Sequence, residues 1–447
     1  MDSRTDIPPT HYAQSDGLSI AYQVLGSGAQ DLVIIPGIVS HLEADWEDPS
    51  HAKMWRALAQ SFRVILFDKR GQGLSDRFEG APTLEQRMDD VRAVMRAAGS
   101  QRATFLAHSE GGAMGAMLAA TCPDLVNRLV LCGALVRFTW AEDFPHSPTL
   151  DQQLRMVAKS WGNPIAAIGF VPSRASDSAY CERFARVQRM CASPGAVRQL
   201  ILANDGIDVR AILPQIHRPT LVLQRRGDRI TSKAHGRYFA DHVPDAVYLE
   251  LPGEDHLSWE GDADSIVDAV RRFAQADTTR QEAAPTERFL ATVLFTDIVG
   301  STDLASQLGD RAWRGKLEQF YATSRSQLQA NRGLEVNTTG DGMLARFDGP
   351  ARAIRCAAAI GQEARKLGLE VRAGLHTGEL EANDGDVSGI AVHIGARVAS
   401  LAGAGEVLVS STVKDLVAGS GISFEAAGTH VLKGVPGEWM LHKALAV

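Results

Sequence analysis

From Leu18 to about Arg272, short apolar runs alternate with stretches whose apolar residues recur at helical spacing. The runs Leu32–Ile35, Arg63–Phe67, Ala103–Ala107, Leu129–Cys132, Thr220–Gln224 and Val247–Leu251 are apolar on both faces, which predicts a mostly parallel sheet covered on both sides by helices. Between about Phe138 and His217 this rhythm stops, and helical stretches such as Leu150–Ser160 and Ala179–Cys191 predict an inserted helical cap. Residues 276–288 are small and polar with no apolar period, so they read as a linker. Beyond them come a strand at Leu290–Phe295, a long helix from Thr302 to about Ala330 and two strands around Asp341. A helix over Pro350–Leu367 and a strand at Glu370–His376 complete a β-α-β-β-α-β order. The expectation is an α/β unit over 1–275, with its cap at about 138–217, and an α+β unit over 289–447.

Composition sharpens this picture at three points. At 447 residues, 45% of them hydrophobic, the chain exceeds one ordinary core, and each unit is long enough to fold alone. A net charge of −7 gives no reason to expect nucleic acid or an anionic membrane as partner. The five cysteines, Cys122, Cys132, Cys181, Cys191 and Cys356, are odd in number and lack a C-x-x-C pair, so they read as buried thiols in a reducing compartment. No apolar run approaches the ~18 residues of a membrane span, and the polar N-terminus lacks a signal pattern, so a cytoplasmic protein is expected.

The first candidate chemistry follows the third strand. In Leu106-Ala107-His108-Ser109-Glu110-Gly111-Gly112, small residues two before and two after a serine allow a strained turn that exposes its hydroxyl. With Phe67-Asp68-Lys69-Arg70-Gly71-Gln72-Gly73-Leu74-Ser75, this elbow makes roughly the first 275 residues resemble the α/β-hydrolase fold. The resemblance implies Ser109 as nucleophile, Asp228 as acid and His256 as base. The chemistry asks for those roles, because a hydroxyl is a weak nucleophile until a base takes its proton. Ala107 stands where the family's first elbow glycine is usual, and Pro36-Gly37-Ile38 where relatives often carry His-Gly. The oxyanion donors are then expected to be the N–H groups of Ile38 and Glu110. In the cap, Trp140, Trp161 and Phe170 either line an acyl pocket or form the cap's own core. The unit itself reads as a hydrolase of a small ester or acyl ligand, or as a sensor that binds one without turnover.

The second candidate lies in Leu294-Phe295-Thr296-Asp297-Ile298-Val299-Gly300-Ser301-Thr302, an apolar strand running into a carboxylate and then a small-residue turn. Backbone N–H groups of Ile298, Val299, Gly300, Ser301 and Thr302 at the following helix start suit an anion. Asp341 sits in a Gly-Asp-Gly hairpin tip, and two aspartates on strand ends suit two hard cations that clamp a triphosphate. Over about 160 residues this unit resembles the catalytic domain of class III nucleotidyl cyclases, especially bacterial adenylate cyclases that carry an α/β-hydrolase domain in front.

That resemblance implies a ferredoxin-like core, two Mg²⁺ or Mn²⁺ per site held by Asp297, Ile298 and Asp341, and Arg397 stabilising the phosphates in the transition state. It also implies Asp386 as purine reader, Lys433 as triphosphate ligand, ATP as substrate and a homodimer as the working form. Asn337 stands where such cyclases usually have lysine, and His393 where they usually have asparagine. Asn337 can still donate to adenine N1 and Asp386 accept from N6, which favours ATP over GTP. His393 can donate a hydrogen bond as asparagine does. A second reading is a serine esterase with a weak or regulatory nucleotide-binding domain.

Overall fold

The computed structural model describes residues 7–78, 80, 82–276, 288–383 and 386–446. The chain divides into two compact units, Met1–Glu282 and Ala283–Val447. Most of the expected linker, residues 277–287, lies outside the described residues.

The first unit is built on eight strands, β1 (His11–Ser15), β2 (Leu18–Leu25), β3 (Asp31–Ile35), β4 (Arg63–Phe67), β5 (Ala103–His108), β6 (Val126–Cys132), β7 (Thr220–Arg225) and β8 (Val247–Leu251). They pair in the order β1-β2-β4-β3-β5-β6-β7-β8. From β4 onward the pairs are parallel, whereas β1, β2 and β4 pair antiparallel. β5 is buried along its whole length because both faces are covered. On one face Leu106 joins a core with α1 (Pro49–Ala59) and α9 (Ala263–Gln275). Its neighbour Ala107 turns to the opposite face and meets α3 (Gly111–Thr121). That face also carries α2 (Leu84–Ala97) and α8 (Lys233–His242). Side chains such as Leu32 and Phe105, with no exposure, each contribute about 1.5–3 kcal/mol by burial.

The cap holds α4 (Leu150–Ser160), α5 (Ala167–Phe170), α6 (Ser178–Cys191) and α7 (Pro194–Asn204). Thr149 and Gln152 close a capping box on α4. Of the cap aromatics, Trp161 packs with Cys191, Val197 and Ile201 and so belongs to the cap's own core, while Trp140 is exposed. Four cysteines are buried, but Cys122 is only half-buried, which corrects the reading of all five as buried thiols.

In the second unit β9 (Arg288–Ile298) is followed by α10 (Ser301–Leu308), α11 (Asp310–Ala330), β10 (Leu334–Thr339), β11 (Gly342–Phe347), α12 (Pro350–Lys366) and β12 (Val371–Asn383). This is the expected β-α-β-β-α-β core. The single helix expected from Thr302 to Ala330 is instead two, parted at Gly309, whose φ of 76° cannot continue a helix. The chain continues through β13 (Asp386–Ser388), α13 (Ile390–Leu401), β14 (Val407–Ser410), α14 (Ser411–Leu416), β15 (Ser423–Val431) and β16 (Glu438–Ala446). Strand order is β10-β11-β9-β12-β14-β16-β15, with β13 paired to β12. Leu294 and Ile298 of β9 pack with Ile354 and Ile360 of α12 on one face, and Val293 packs with Ala391 of α13 on the other. No helix among the described residues is long and apolar enough to cross a membrane.

Candidate functional sites

In the first unit the parallel sheet ends three of its strands at one place. Ser109 follows β5, Asp228 follows β7 and His256 follows β8. Ser109 has φ 54°, a left-handed conformation rare for serine, and it turns β5 directly into α3. The methyl of Ala107 fits the elbow because Gly115 lies opposite; a Cβ at Gly115 would come within 2.8 Å of the Ala107 Cβ.

His256 Nε2 lies 2.8 Å from Ser109 Oγ, and His256 Nδ1 lies 2.8 Å from Asp228 Oδ2. The other Asp228 oxygen accepts from the amides of Ile230 and Thr231, both at 2.9 Å. Burial pushes the Asp228 carboxyl up, but His256 and these amides together outweigh it, so the group ends below its usual range and stays ionised. His108 Nε2 meets the His256 carbonyl oxygen at 3.0 Å. Burial, then the charge of His256, pulls His108 down to about 3, so it is a neutral spacer. From the cap, the Phe170 carbonyl accepts the His256 amide at 2.8 Å, and its ring stands 5.9 Å from the imidazole while also packing against the cap's own cluster. The arrangement can strip the serine proton onto an imidazole whose tautomer is fixed by a carboxylate.

Glu110, one residue past the serine, is held by a buried network that sequence reading did not anticipate. Lys69 Nζ donates to it at 2.6 Å, Arg87 at 2.8 Å and Asn204 at 3.1 Å. Burial would raise the Glu110 carboxyl, but Lys69 and Arg87 more than compensate and keep it charged. Lys69 inside Asp68-Lys69-Arg70-Gly71 was the available signal, whereas Arg70 beside it pairs with Asp90.

In the second unit Asp297 pairs in register with Gly342 across β9 and β11, and the Ile298 amide donates to the Asp341 carbonyl at 3.3 Å. Both aspartates are therefore fixed at the same end of the sheet. Tyr321 of α11 braces the tip, donating to the Gly340 carbonyl at 2.8 Å. The anion cradle is narrower than expected. The Ile298 amide is taken by Asp341, and the Val299 amide by the Glu370 carbonyl at 2.8 Å, so only the helix start from Gly300 through Ser301 and Thr302 is left to face an anion. Asp297 is also engaged, because Arg372, its register partner on β12, donates to Oδ2 through Nε at 2.8 Å and through Nη2. Arg372 was missed, since only the register brings residues 75 apart in sequence together.

A second group sits on α13. His393 and Arg397, one turn apart, are both exposed, so His393 is not packed within this unit. Arg397 Nε donates to the carbonyl of Lys433, itself exposed, at 3.1 Å. Asn337 is exposed on β10, and its Oδ1 accepts the Thr338 amide at 2.8 Å, leaving its NH₂ as the outward-donating end. The backbone of Asp386 begins β13 opposite Asn383, but its side chain lies outside the described residues. Among the described residues, no hydrogen bond or ion pair links Asp297 or Asp341 to His393, Arg397 or Lys433. No group of three His, Cys, Asp or Glu among them converges as a ready-made metal cage.

Comparison with known proteins divides along the same line. The human serine hydrolase BPHL is 24% identical over 249 residues, covering 54% of this chain and 78% of its own. The enol-lactonase from Burkholderia xenovorans is 25% identical, with a TM-score of 0.52 over 59% of this chain and 99% of its own. The adenylyl cyclase CyaB from P. aeruginosa covers 37% of this chain and 97% of its own at 21% identity and a TM-score of 0.35. Assignment of the second unit rests on the family model for the adenylate and guanylate cyclase catalytic domain, which matches residues 286–443. The model for the alpha/beta hydrolase fold matches residues 32–262, more than half of the sequence. The chain belongs to the α/β-hydrolase fold family and carries behind that domain an adenylate and guanylate cyclase catalytic domain.

Proposed function

We propose that the chain is an adenylate cyclase, converting ATP to 3′,5′-cyclic AMP and pyrophosphate at composite sites of a homodimer, with a serine hydrolase domain in front. The observation that carries this reading is the division of polar groups in the second unit. Asp297 and Asp341 gather at one end of the sheet, while His393, Arg397 and Lys433 gather on an exposed stretch with no bond between the sets. Each set is half of what cyclisation needs, so two chains related by a twofold axis would complete each other. Exposed apolar side chains near the second set, Ile390 at 53% and Val431 at 76%, support such an interface.

The donors at the first set fit hard cations. Two carboxylates and the Ile298 carbonyl are all oxygen, and a cation held by so few protein ligands takes the rest from substrate phosphates and water. Two Mg²⁺ or Mn²⁺ there would supply positive charge for the triphosphate and a more acidic ribose 3′-hydroxyl. The chain's own residues bind and orient the nucleotide. Gly300, Ser301 and Thr302 offer amides to the phosphates at the start of α10. With its Nε spent on Lys433, Arg397 has both Nη groups available for the α-phosphate as its bridging oxygen departs with pyrophosphate. The Asn337 NH₂ would donate to adenine N1 and Asp386 accept from N6, and guanine O6 would face that carboxylate unfavourably.

For the first domain, the unbroken Ser109–His256–Asp228 chain, 2.8 Å at each link, supports turnover of a small ester over mere binding.

The composite site is tested by mixing. Asp297→Ala and Arg397→Ala proteins should each lose nearly all cyclic AMP formation with Mn²⁺ or Mg²⁺. Their heterodimer rebuilds one site of two, so random exchange should restore about a quarter of wild-type activity, taking the sites as independent. A mixture as inactive as its parts, once exchange is verified with differently tagged chains, would overturn the shared site.

A further inference from the structure

The loop after β4 and the start of α7 enclose a cavity of about 570 Å³, a size typical of small-ligand sites. Its lining does not include Ser109, Asp228 or His256. It does include five cationic side chains, Lys69, Arg70, Arg77, Arg87 and Arg189, and no carboxylate among the described residues.

Three carboxylates neutralise part of this charge, the most distant being Asp16, 3.9 Å from Arg70. Asp90 takes Arg70 in a fork at 2.6 and 2.7 Å, while Glu110 must serve both Lys69 and Arg87. Arg77 and Arg189 are exposed and donate only to backbone carbonyls, Arg77 to Gly71, Gly73 and Cys191 and Arg189 to Gly162. Among the described residues, five cations thus face three carboxylates, and the cavity keeps an excess of positive charge. Two of its buried walls also carry polar atoms without partners. Arg87 Nε and Gln72 Oε1 make no hydrogen bond, although the two residues are only 3% and 4% exposed, and of the two only the Arg87 donor suits an anion. Such an orphaned donor on a buried guanidinium is what an incoming acceptor would satisfy. Ser193 and Ala196, at the start of α7, line the same space, so the positive end of that helix adds to the field.

We infer that this cavity is a binding site, separate from the serine, for a small multiply charged oxyanion of the phosphate-ester or polycarboxylate class. It adjoins the catalytic loop through two residues. Lys69 holds Glu110 next to the nucleophile, and Gln72 Nε2 donates to the Ile38 carbonyl at 3.1 Å on the loop expected to bear the oxyanion donors.

The test is calorimetric titration of the full chain, at fixed ionic strength and without divalent metal, with inorganic phosphate in one series and citrate in another. At least one anion should bind saturably. The Arg77→Ala/Arg189→Ala double variant should weaken that binding tenfold or more, Arg189→Gln alone should weaken it partly, and Lys366→Ala, an exposed cation outside either site, should leave it unchanged. Binding of phosphate alone would assign the phosphate-ester class and of citrate alone the polycarboxylate class. Absence of saturable binding by both, or undiminished affinity in a double variant whose anion-free melting matches the parent, would overturn the site.

Discussion

Holding Ser109 in a left-handed conformation costs on the order of 1–3 kcal/mol, a strain the surrounding elbow must sustain. Glu260 is a second residue held against its preference, and it gives a pH signature. Its side chain is buried, Oε1 has no partner, and the nearest cation, Arg174, stands 3.6 Å from Oε2. Burial, then the charge of Asp48, pushes its carboxyl up to about 7. Between about 4.5 and 7 the folded chain therefore keeps a proton that the unfolded chain has released. Stability must fall as pH rises through that window and stay lower above it. Glu260→Gln cannot ionise, so its thermal midpoint relative to the parent should improve from pH 5 to pH 8. A difference that does not move with pH would show Glu260 titrating like a solvated carboxylate.

At the scale of elements, the elbow depends on the approach of α3 to β5. Gly115→Ala would place a methyl 2.8 Å from Ala107 and 3.2 Å from Leu129. The better helix propensity, about 1 kcal/mol, is set against an overpacking cost of about 1–3 kcal/mol, and the clash should win. In an Ala107→Gly background the same substitution should turn neutral or stabilising. Denaturant melts of the four proteins in this cycle measure the coupling, and simple additivity would show that the two positions do not touch.

The same elements show what the sequence could disclose. Continuous apolar runs marked the parallel strands from β3 to β8, and the spacing of small residues marked the elbow, because both are local properties. The β1–β2 hairpin was missed, since His11–Ser15 buries only the small Ala13 and Ser15 and so shows no apolar run. Helices α10 and α11 looked continuous because apolar spacing runs on across Gly309, and one dihedral angle decides otherwise. The amides of Ile298 and Val299, and the Arg372–Asp297 pair, depend on partners fixed only by sheet register. His393 and Arg397, four apart on one helix, were legible as neighbours for the opposite reason.

For the whole molecule, two units with separate cores predict a double dissociation. Asp341→Ala should abolish cyclic nucleotide formation and leave hydrolysis of a short-chain chromogenic ester within about twofold of wild type, as independent domains require. Ser109→Ala should do the reverse. Loss of both activities in either variant would mean that one domain's chemistry needs the other.

On the proposed reading, the contact between Arg372 and Asp297 couples the filling of the second domain by metal and by nucleotide. A divalent cation held there would compete for Asp297 with a guanidinium that, once displaced, has no anion to join. A triphosphate arriving alone finds that guanidinium already committed. Together they exchange partners, so each should raise the affinity for the other by the same factor, as linkage demands. Mn²⁺ should therefore bind more tightly when a non-hydrolysable ATP analogue is present, as read from the free Mn²⁺ spin-resonance signal. Arg372→Ala should strengthen the binding of Mn²⁺ alone and shrink the gain from the analogue, and an unchanged Mn²⁺ affinity in that variant would show that the arginine does not guard the site.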